Sequence, residues 1–422
     1  MKHFRLMPVT PVGAGLLSGV LALALSFSNP AAAATAAPAA SAPAVAASEA
    51  ASPPAAALVL PQPPNIAARA YLLIDVTAGG QQLASSNIDE RVEPASLTKL
   101  MTAYLTFDAL RAKKVSLTQL CPVSVQAWKT PGSRMFIDPK MQVPVQDLIK
   151  GMLVQSGNDA TVALAECVGG TVEHFVQMMN DQAQALGMKS TTYKNPDGLP
   201  APGHLTTARD LATLAQHLMR DFPEDMGYFA IKKYYYPGTP VSNADNRNSL
   251  LLRDPTVDGL KTGFTNAAGY CLVATAKRDF PNLGGRRLLS VVLGTASESA
   301  RINESQKLLN WGYTAYEGVK LFDANQPAAT PKVWKGSSST LKLGRTEPIV
   351  VAVPAGDAAK VTTEIARPEP LIAPFKQGQT VATLKVKLDG QVIDETPLVA
   401  LDAVTEAGFL GRAWDAMRLW MR

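Results

Sequence analysis

A serine and a lysine three positions apart, Ser96 and Lys99, form a pair that could do chemistry. On a helix, side chains at this spacing lie on one face and can interact. A serine hydroxyl is a weak nucleophile, and a lysine can be its base when burial or a nearby cation keeps the amine neutral. Ser96 also lies at the expected start of a helix, where backbone N–H groups point towards negative charge. The pair predicts an active serine, although the same spacing is common on solvated helix faces.

Two further motifs follow in order along the chain. Ser156–Asn158 reads Ser-Gly-Asn and lies between two predicted helices, and Lys261–Gly263 reads Lys-Thr-Gly and lies on a predicted strand. Taken singly, the first could be an ordinary loop that leads into a helix, and the second an ordinary strand end. Three motifs in this order, each in its expected structural setting, instead predict one shared catalytic site.

Together the motifs resemble S-x-x-K, S-x-N and K-T-G of the penicillin-recognising serine enzymes. Within that superfamily the sequence resembles the D-alanyl-D-alanine carboxypeptidases, the low-molecular-mass penicillin-binding proteins. The similar text comprises Pro94–Thr102, Gly132–Phe136, Ser156–Ala160, Asn195–Leu199 and Asp258–Thr265. The resemblance covers the chain from about residue 65 to its end. It implies an α/β penicillin-recognising domain of the β-lactamase/transpeptidase type, a small all-β sandwich domain and a C-terminal amphipathic helix.

The resemblance also implies a reaction. Ser96 would attack the carbonyl between the two terminal D-alanines of a peptidoglycan stem peptide, and neutral Lys99 would accept its proton. Ser156 would relay a proton towards the leaving amine, and Asn158 would line the same wall. Water would then release the acyl-enzyme, which removes the terminal D-alanine and limits cross-linking. β-Lactam antibiotics would acylate the same serine as covalent inhibitors.

Four further residues would bind the substrate: Lys261, Thr262, Gly263 and Arg301. Lys261 would supply positive potential. Thr262 and Arg301 would hold the terminal carboxylate, a group that suits a bidentate guanidinium. The alternative for Arg301 is a solvated arginine in the first turn of a helix.

The backbone N–H groups of Ser96 and Phe264 would form the oxyanion hole, in which each donor typically contributes about 3 kcal/mol. Some relatives carry histidine after K-T-G where this chain has Phe264. If the backbone N–H acts, the chemistry survives this difference, whereas the fit of the substrate beside the ring is open.

Three other functions are compatible with part of this pattern. A class A β-lactamase needs a glutamate to activate the deacylating water, and the chain has no glutamate between Val176 and Asp221. The second motif of this chain is also Ser-Gly-Asn, whereas a class A β-lactamase has Ser-Asp-Asn. A D,D-endopeptidase that cuts cross-links has the same motifs. A cell-wall-binding module without turnover is disfavoured by the intact catalytic set.

The motifs are expected on a sheet interrupted by a helical insert. Strand patterns occur before and after the insert, at Tyr71–Val76, Gln82–Ser86, Val257–Thr262, Tyr270–Ala276 and Leu288–Leu293. Apolar residues at helical spacing predict helices at Leu97–Leu110, Val145–Met152, Ala160–Val168, Val172–Leu186, Thr207–Leu218 and Arg301–Tyr316. Thr206 and Thr207 are candidate N-caps.

The N-terminus has the pattern of a secretory signal. Lys2 and Arg5 precede an apolar run from Val12 to about Phe27, and small residues at Ala31–Ala34 offer a cleavage site. A transmembrane anchor is the alternative, but the run is shorter than the ~20 residues that a span needs. Export to the periplasm is expected.

Composition changes along the chain predict its domains. An Ala- and Pro-rich stretch follows the signal, and short alternating segments between Ser339 and Leu398 indicate an all-β domain. The predicted parts are a signal peptide at 1–34, a linker at 35–64, an α/β serine D,D-peptidase domain at 65–325, a β-sandwich domain at 326–402 and a terminal helix at 403–422.

The terminal helix is amphipathic. One face gathers Phe409, Leu410, Ala413, Trp414, Met417, Trp420 and Met421, and the other carries Arg412, Asp415, Arg418 and Arg422. Aromatic and cationic residues in this arrangement favour a peripheral anchor on the outer face of the cytoplasmic membrane. The alternative is a helix docked on the protein's own surface.

The remaining composition excludes several classes of protein. The net charge is +5, and no Lys/Arg run exceeds two residues, so nucleic-acid binding is not expected. The four histidines lack metal-ligand spacing, and neither a metal nor a cofactor is expected. Cys121, Cys167 and Cys271 could supply one disulfide, but three buried, unpaired thiols are the preferred interpretation.

Overall fold

The computed structural model describes residues 59–280 and 282–421, so the predicted signal peptide and most of the predicted linker lie outside the described residues. The strands are β1 Ala70–Asp75, β2 Gln81–Ser86, β3 Leu120–Pro122, β4 Gln142–Pro144, β5 Val257–Thr265, β6 Gly269–Arg278, β7 Arg286–Thr295, β8 Tyr316–Phe322, β9 Val333–Trp334, β10 Leu343–Gly344, β11 Ile349–Pro354, β12 Val361–Ala366, β13 Leu371–Ile372, β14 Thr380–Leu388 and β15 Gln391–Ala400. The helices are α1 Lys99–Arg111, α2 Val125–Lys129, α3 Val145–Val154, α4 Asn158–Gly169, α5 Val172–Ala185, α6 Ala208–Asp221, α7 Leu250–Arg253, α8 Glu298–Ala315 and α9 Phe409–Trp420.

The first domain is built on a five-stranded antiparallel sheet in the order β2-β1-β7-β6-β5. The strands before and after the helical insert meet in it, because β1 pairs directly with β7, with Leu72 opposite Val291. The predicted sheet interrupted by a helical insert is therefore confirmed. β5, which carries the Lys-Thr-Gly motif, pairs only with β6 and forms one edge of the sheet.

The sheet is buried on both faces. Leu72 and Ile74 of β1 pack with the helical insert, whereas Leu73 between them packs in the cluster that contains Leu308 and Leu309 of α8. Successive side chains of a strand point to opposite faces, so an apolar residue is needed at every position. This double burial explains why the strands have continuous apolar runs.

Two helix boundaries next to the motifs differ from the predictions. The helix predicted from Leu97 starts as a short 3-10 turn, Ala95–Thr98, before α1. α4 begins at Asn158 rather than at Ala160, because Ser156 adopts a positive φ of 60° and the chain enters the helix immediately after Gly157. The predicted cap of α6 is confirmed, since the Thr207 hydroxyl accepts a hydrogen bond from Asp210 N.

The second domain is all-β and has its own core. One sheet has the order β10-β15-β14-β12. In addition, β11 pairs with β8, and β13 pairs with β9. The apolar residues between them include Leu343, Val351, Val386 and Leu398. β8 starts at Tyr316, so strand pairing in this domain begins ahead of residue 326. The alternating pattern predicted to begin at Ser339 becomes a strand only at Leu343, the first residue of β10, because Ser338 Oγ donates to Thr340 O in a local turn.

Two polar side chains join the domains. Gln81 of β2 makes both amide hydrogen bonds to the backbone of Ala352 in β11, each 2.8 Å long. Arg286 of β7 is completely buried and donates to Asp75 Oδ2 at 2.6 Å and to the carbonyl of Tyr316 at 2.5 Å. The first strands of the second domain are thereby held by β1, β2 and β7.

The predicted terminal helix forms as α9. Its side chains Phe409, Leu410, Trp414 and Trp420 are 77%, 83%, 57% and 88% exposed. Asp415 faces the β-domain, where its carboxylate accepts a hydrogen bond from Lys335 N at 2.7 Å. Within the described residues, no helix has the length and apolar character required to cross a membrane.

The prediction of three unpaired cysteines is wrong for two of them. Cys121 of β3 and Cys167 of α4 form a disulfide with a Cα–Cα distance of 5.8 Å, because the β3–β4 hairpin packs against α4. Cys271 is buried and unpaired, as predicted. Three cysteines allow several pairings, and only the tertiary contact selects this one.

Replacing both disulfide cysteines with serine should lower the free energy of unfolding by about 2–4 kcal/mol, because the bond closes a loop with a sequence separation of 46 residues. Equilibrium unfolding in urea measures the loss. Treatment with a reducing agent should destabilise the original protein by a similar amount and leave the double variant unchanged. Equal stability of the oxidised protein and the double variant would contradict the prediction.

Candidate active site

Ser96 lies in the 3-10 turn that runs directly into α1, which brings Lys99 to the first position of that helix. Lys99 Nζ lies 3.0 Å from Ser96 Oγ. Lys99 is completely buried, whereas Ser96 is only half-buried. The structure thus brings together the two side chains that their spacing predicts to share a face, and it leaves the serine accessible.

Two further oxygens surround the lysine nitrogen. Lys99 Nζ lies 2.7 Å from Asn158 Oδ1 and 2.6 Å from the carbonyl oxygen of Asp197. The Asn158 amide is oriented by its other end, because Nδ2 donates to the carbonyl of Pro131 at 2.6 Å. Both oxygens can only accept hydrogen bonds. A neutral amine would donate to these two and keep its lone pair for the hydroxyl proton of Ser96.

The electrostatics shift the equilibrium of Lys99 towards that neutral amine. Burial lowers the pKa of Lys99 to about 8, and the carboxylates of Asp197 and Asp159 oppose a further fall. Desolvation disfavours the charged form of a lysine, and neighbouring anions favour it. A lysine whose pKa lies close to physiological pH can accept a proton at that pH.

The Ser-Gly-Asn motif forms a second wall. Asn158 is the first residue of α4, and its backbone N–H donates to Ser133 O at 2.7 Å. Gly132 has φ +88°, and a Cβ there would lie 2.8 Å from Asn158 Nδ2. Ser156 is buried at the turn before α4, and its hydroxyl has no hydrogen-bond partner among the described residues. That hydroxyl is therefore available to a substrate.

Asp159 organises this wall and was given no role from sequence. Its fully buried carboxylate accepts hydrogen bonds from the backbone N–H groups of Met135, Phe136 and Ile137 at 2.7, 2.7 and 3.2 Å. Three N–H donors on one carboxylate fix the path of that loop. The loop also carries Ser133, the acceptor for Asn158, so Asp159 positions the wall indirectly.

The segment Asn195–Leu199 closes the site behind Lys99. Asn195 Oδ1 accepts from Gly198 N at 2.7 Å, which holds the turn that presents the Asp197 carbonyl. Gly198 has φ +90°, and a Cβ there would lie 1.8 Å from the carbonyl oxygen of Ala95. Only glycine permits this approach to the serine turn. The family resemblance includes this segment, whereas nothing in the sequence indicates a role for the Asp197 carbonyl.

His204 supports the serine turn through a hydrogen bond to Thr98, and the sequence did not indicate this role. Its Nδ1 accepts from Lys194 N at 3.2 Å, so the neutral ring donates through Nε2 to Thr98 Oγ1 at 2.9 Å. Thr98 in turn donates to Ala95 O at 2.8 Å. Burial lowers the pKa of His204 to about 4, which keeps the ring neutral at physiological pH.

The third wall is the edge strand β5. Lys261 and Thr262 are buried, and Lys261 Nζ donates to the carbonyl of Thr262 at 3.0 Å. A Cβ on Gly263 would lie 3.2 Å from Ala95 Cβ, so this glycine lets the strand approach the serine turn. Phe264 is 47% exposed, and its ring centroid lies 4.2 Å from that of Tyr270.

Arg301 lies at the start of α8 and is buried, which rules out the solvated alternative. Its Nη2 donates to Glu298 at 2.8 Å and to the carbonyl of Arg247 at 3.3 Å. Its buried Nε has no hydrogen-bond partner among the described residues. Burial lowers the pKa of Lys261 well below its usual value, and Lys99, Arg301 and Arg247 reinforce the effect. The site therefore has unused capacity for an anion.

Across residues 59–280 and 282–421, no group of three or more His, Cys, Asp and Glu side chains could hold a metal ion. The arrangement combines a nucleophile, a base with a lowered pKa, a hydroxyl available to substrate and the clustered basic side chains Lys261 and Arg301. This combination suits acyl transfer from a substrate that bears a carboxylate.

Comparison with known proteins agrees with this chemistry. Residues 58–297 match the family described as D-alanyl-D-alanine carboxypeptidase, and residues 316–406 match the C-terminal domain of penicillin-binding protein 5. The D-alanyl-D-alanine carboxypeptidase DacC of Escherichia coli is 42% identical over 84% of this chain and 88% of its own length.

Solved structures show the same similarity. Penicillin-binding protein 5 of Haemophilus influenzae superposes with a TM-score of 0.76 at 37% identity and covers 82% of this chain and 99% of its own. Penicillin-binding protein D2 of Listeria monocytogenes in its ampicillin-bound form is 31% identical, with a TM-score of 0.53, over 60% of this chain and 100% of its own. The two-domain match and the level of identity establish that this chain belongs to the D-alanyl-D-alanine carboxypeptidase family of serine peptidases.

Proposed function

We propose that this enzyme removes the terminal D-alanine of peptidoglycan stem pentapeptides through an acyl-enzyme on Ser96. The contact between buried Lys99 Nζ and half-exposed Ser96 Oγ, at 3.0 Å, carries the proposal. Oxygen acceptors occupy the other two directions around the amine, so the base is oriented towards the nucleophile before substrate binds.

In the acylation step, the Ser96 oxygen forms a bond to the penultimate D-alanine carbonyl carbon while Lys99 takes its proton. Collapse of the tetrahedral intermediate breaks the peptide bond, and the leaving amine takes up a proton through the Ser156 hydroxyl. Water then attacks the ester and regenerates Ser96. The Ser156 hydroxyl makes no hydrogen bond to another described residue, which supports its assignment as the relay.

The negative oxygen of the intermediate is assigned to the backbone N–H groups of Ser96 and Phe264. Such donors act where charge develops, and each typically contributes about 3 kcal/mol. The terminal carboxylate of the substrate is assigned to Thr262 and Arg301, because Arg301 Nε is buried with no hydrogen-bond partner in the described part of the chain. An anion beside Lys261 also favours the charged form of that lysine, which would then contribute positive potential.

β-Lactams fit the same scheme as inhibitors. Attack of Ser96 on the lactam carbonyl opens the ring and leaves an ester on the serine. The ampicillin-bound relative from Listeria supports binding of this ligand class. The β-lactamase alternative is weaker, because the segment Asn195–Leu199 behind Lys99 has no glutamate to activate water.

Two assays test the proposal. Intact-mass and peptide analysis after incubation with a fluorescent penicillin should locate one adduct on Ser96, and the absence of an adduct there would overturn the mechanism. Release of D-alanine from diacetyl-L-lysyl-D-alanyl-D-alanine should be catalytic. Fast hydrolysis of a chromogenic cephalosporin without D-alanine release would favour a β-lactamase, and cleavage restricted to cross-linked dimers would favour an endopeptidase.

Acylation should depend on pH through Lys99. The neutral amine is the active form and the pKa lies at about 8, so kcat/KM should fall about tenfold per pH unit below that value and level off above it. Stopped-flow acylation by benzylpenicillin from about pH 6 to pH 9.5 measures this profile. A rate that is constant across this interval would contradict the assignment of Lys99 as the base.

We also propose that the enzyme is exported and attached peripherally to the outer face of the cytoplasmic membrane. The apolar run in residues 12–27 supports export, and the exposed Phe409, Trp414 and Trp420 of α9 support attachment. Truncation after Asp402 should abolish sedimentation with anionic vesicles and leave D-alanine release intact. Replacing Trp414 and Trp420 with glutamine should weaken sedimentation, and unchanged sedimentation of both variants would overturn the anchor.

A further inference from the structure

The two proposed oxyanion donors lie on separate elements. Ser96 belongs to the turn before α1, whereas Phe264 belongs to β5, the edge of the sheet. Within the described chain, no backbone hydrogen bond joins residues 92–99 to residues 257–265. The separation between the donors is therefore not set by the sheet.

One side-chain hydrogen bond spans this gap. Thr265 Oγ1 donates to Glu93 Oε2 at 2.8 Å, and it is the one hydrogen bond between these two segments among the described residues. Thr265 directly follows Phe264, and Glu93 precedes Ser96 by three positions. The bond thus joins the elements close to both donors.

The hydrogen bond between Thr265 and Glu93 has a defined direction, and backbone hydrogen bonds on either side of Glu93 hold that residue in place. The Thr265 hydroxyl accepts from Ala268 N at 3.0 Å, which leaves its own proton for the Glu93 carboxylate. Before Glu93, Val92 exchanges two backbone hydrogen bonds with Thr206, each 2.9 Å long. After Glu93, the carbonyl of Pro94 accepts from Leu97 N and begins the serine turn.

Packing limits the gap from the other side. A Cβ placed on Gly263 would lie 3.2 Å from Ala95 Cβ and 3.2 Å from Pro94 O, so the strand already packs against the turn at this glycine, with no room for a side chain between them. Van der Waals contact resists closure, and the hydrogen bond between Glu93 and Thr265 resists opening. Together they determine the width of the oxyanion hole.

We propose that Glu93 is a positioning residue that holds the edge strand β5 at a fixed distance from Ser96 through the Thr265 hydroxyl. This inference rests on the proposed function, because it takes Ser96 N and Phe264 N as the oxyanion donors. Glu93 touches neither the substrate nor the reacting atoms. Displacement of such donors by about 1 Å costs up to a hundredfold in rate.

The test compares three variants with a neighbouring control. Glu93→Ala and Thr265→Val each remove the bond, and both should lower the acylation rate constant with benzylpenicillin about 10- to 100-fold. Glu93→Gln keeps an oxygen acceptor and should stay within about threefold of the original enzyme. Glu90→Ala removes a nearby exposed carboxylate, whose one ion pair among residues 59–280 and 282–421 is with Arg69 at 3.9 Å, and should have no effect.

Further readouts separate positioning from general damage. kcat for D-alanine release should fall while KM stays nearly constant, because the donors act on the transition state. The double variant should be no slower than either single variant, since both remove one bond. Thermal midpoints should match across the set, and Thr265→Val reports on the same bond if Glu93→Ala does not fold.

The possible failures are distinguishable. Wild-type rates for Glu93→Ala and Thr265→Val would overturn the positioning role, and so would Glu93→Gln as slow as Glu93→Ala. If either result is found while penicillin still forms its adduct on Ser96 of the original enzyme, the proposed mechanism is unaffected. Absence of that adduct from the original enzyme and from Glu90→Ala would overturn both.

Discussion

Replacing Ser96 with alanine should reduce kcat/KM for D-alanine release by about 10⁴- to 10⁶-fold, the range seen when a covalent nucleophile is removed. The variant keeps Lys99, Asn158 and the basic side chains Lys261 and Arg301, so substrate can still bind. It lacks the only hydroxyl within 3.0 Å of Lys99 Nζ in the described chain. Progress curves for D-alanine release measure the loss.

The fluorescent penicillin should leave no covalent label on this variant. Ser116→Ala is the matched control, because Ser116 is an exposed serine of the same domain and its side chain lies outside the site. It should label and turn over like the original enzyme. A stable adduct on Ser96→Ala would show that another residue is the nucleophile.

The largest expected effect on stability comes from the buried ion pair of the sheet. Asp75→Asn leaves the Arg286 guanidinium charged and completely buried without its anion, and the amide nitrogen of the new side chain can face an arginine donor. Breaking one partner of a buried pair typically costs about 3–5 kcal/mol. Urea unfolding, with the midpoint and the slope fitted together, measures the difference.

An exposed pair provides the control. Lys233 and Asp245 lie 3.2 Å apart with side chains 71% and 63% exposed, and Asp245→Asn should cost less than about 1 kcal/mol. Adding Arg286→Met to Asp75→Asn should recover part of the loss, since no charge then stays buried. Equal stability of Asp75→Asn and Asp245→Asn would contradict the importance of the buried pair.

Local spacing was enough to predict the core of the site. The three-residue separation of Ser96 and Lys99 placed both side chains together, and apolar periodicity placed the motifs between a helical insert and a returning strand. Family resemblance assigned Asn158 and Lys261 to the walls, and the structure puts Asn158 in direct contact with Lys99.

The supporting contacts could not be predicted, because they join distant segments through the backbone. The Asp197 carbonyl reaches Lys99 across 98 positions, and Thr98 reaches His204 across 106. A carbonyl oxygen has no signature in residue type, and a single histidine has no periodicity. The disulfide pairing could not be predicted for the same reason, since it depends on the packing of β3 against α4.

The contact between Arg286 and the carbonyl of Tyr316 has a consequence for unfolding. Tyr316 is the first residue of β8, so the guanidinium that neutralises Asp75 inside the catalytic sheet also holds the start of the second domain. A chain that ended at Ala315 would leave one arginine donor and both hydrogen-bonding groups of Gln81 without their protein partners. Melting of the β-domain is therefore coupled to melting of the sheet beneath Ser96. Calorimetry of the intact protein should show a single cooperative transition.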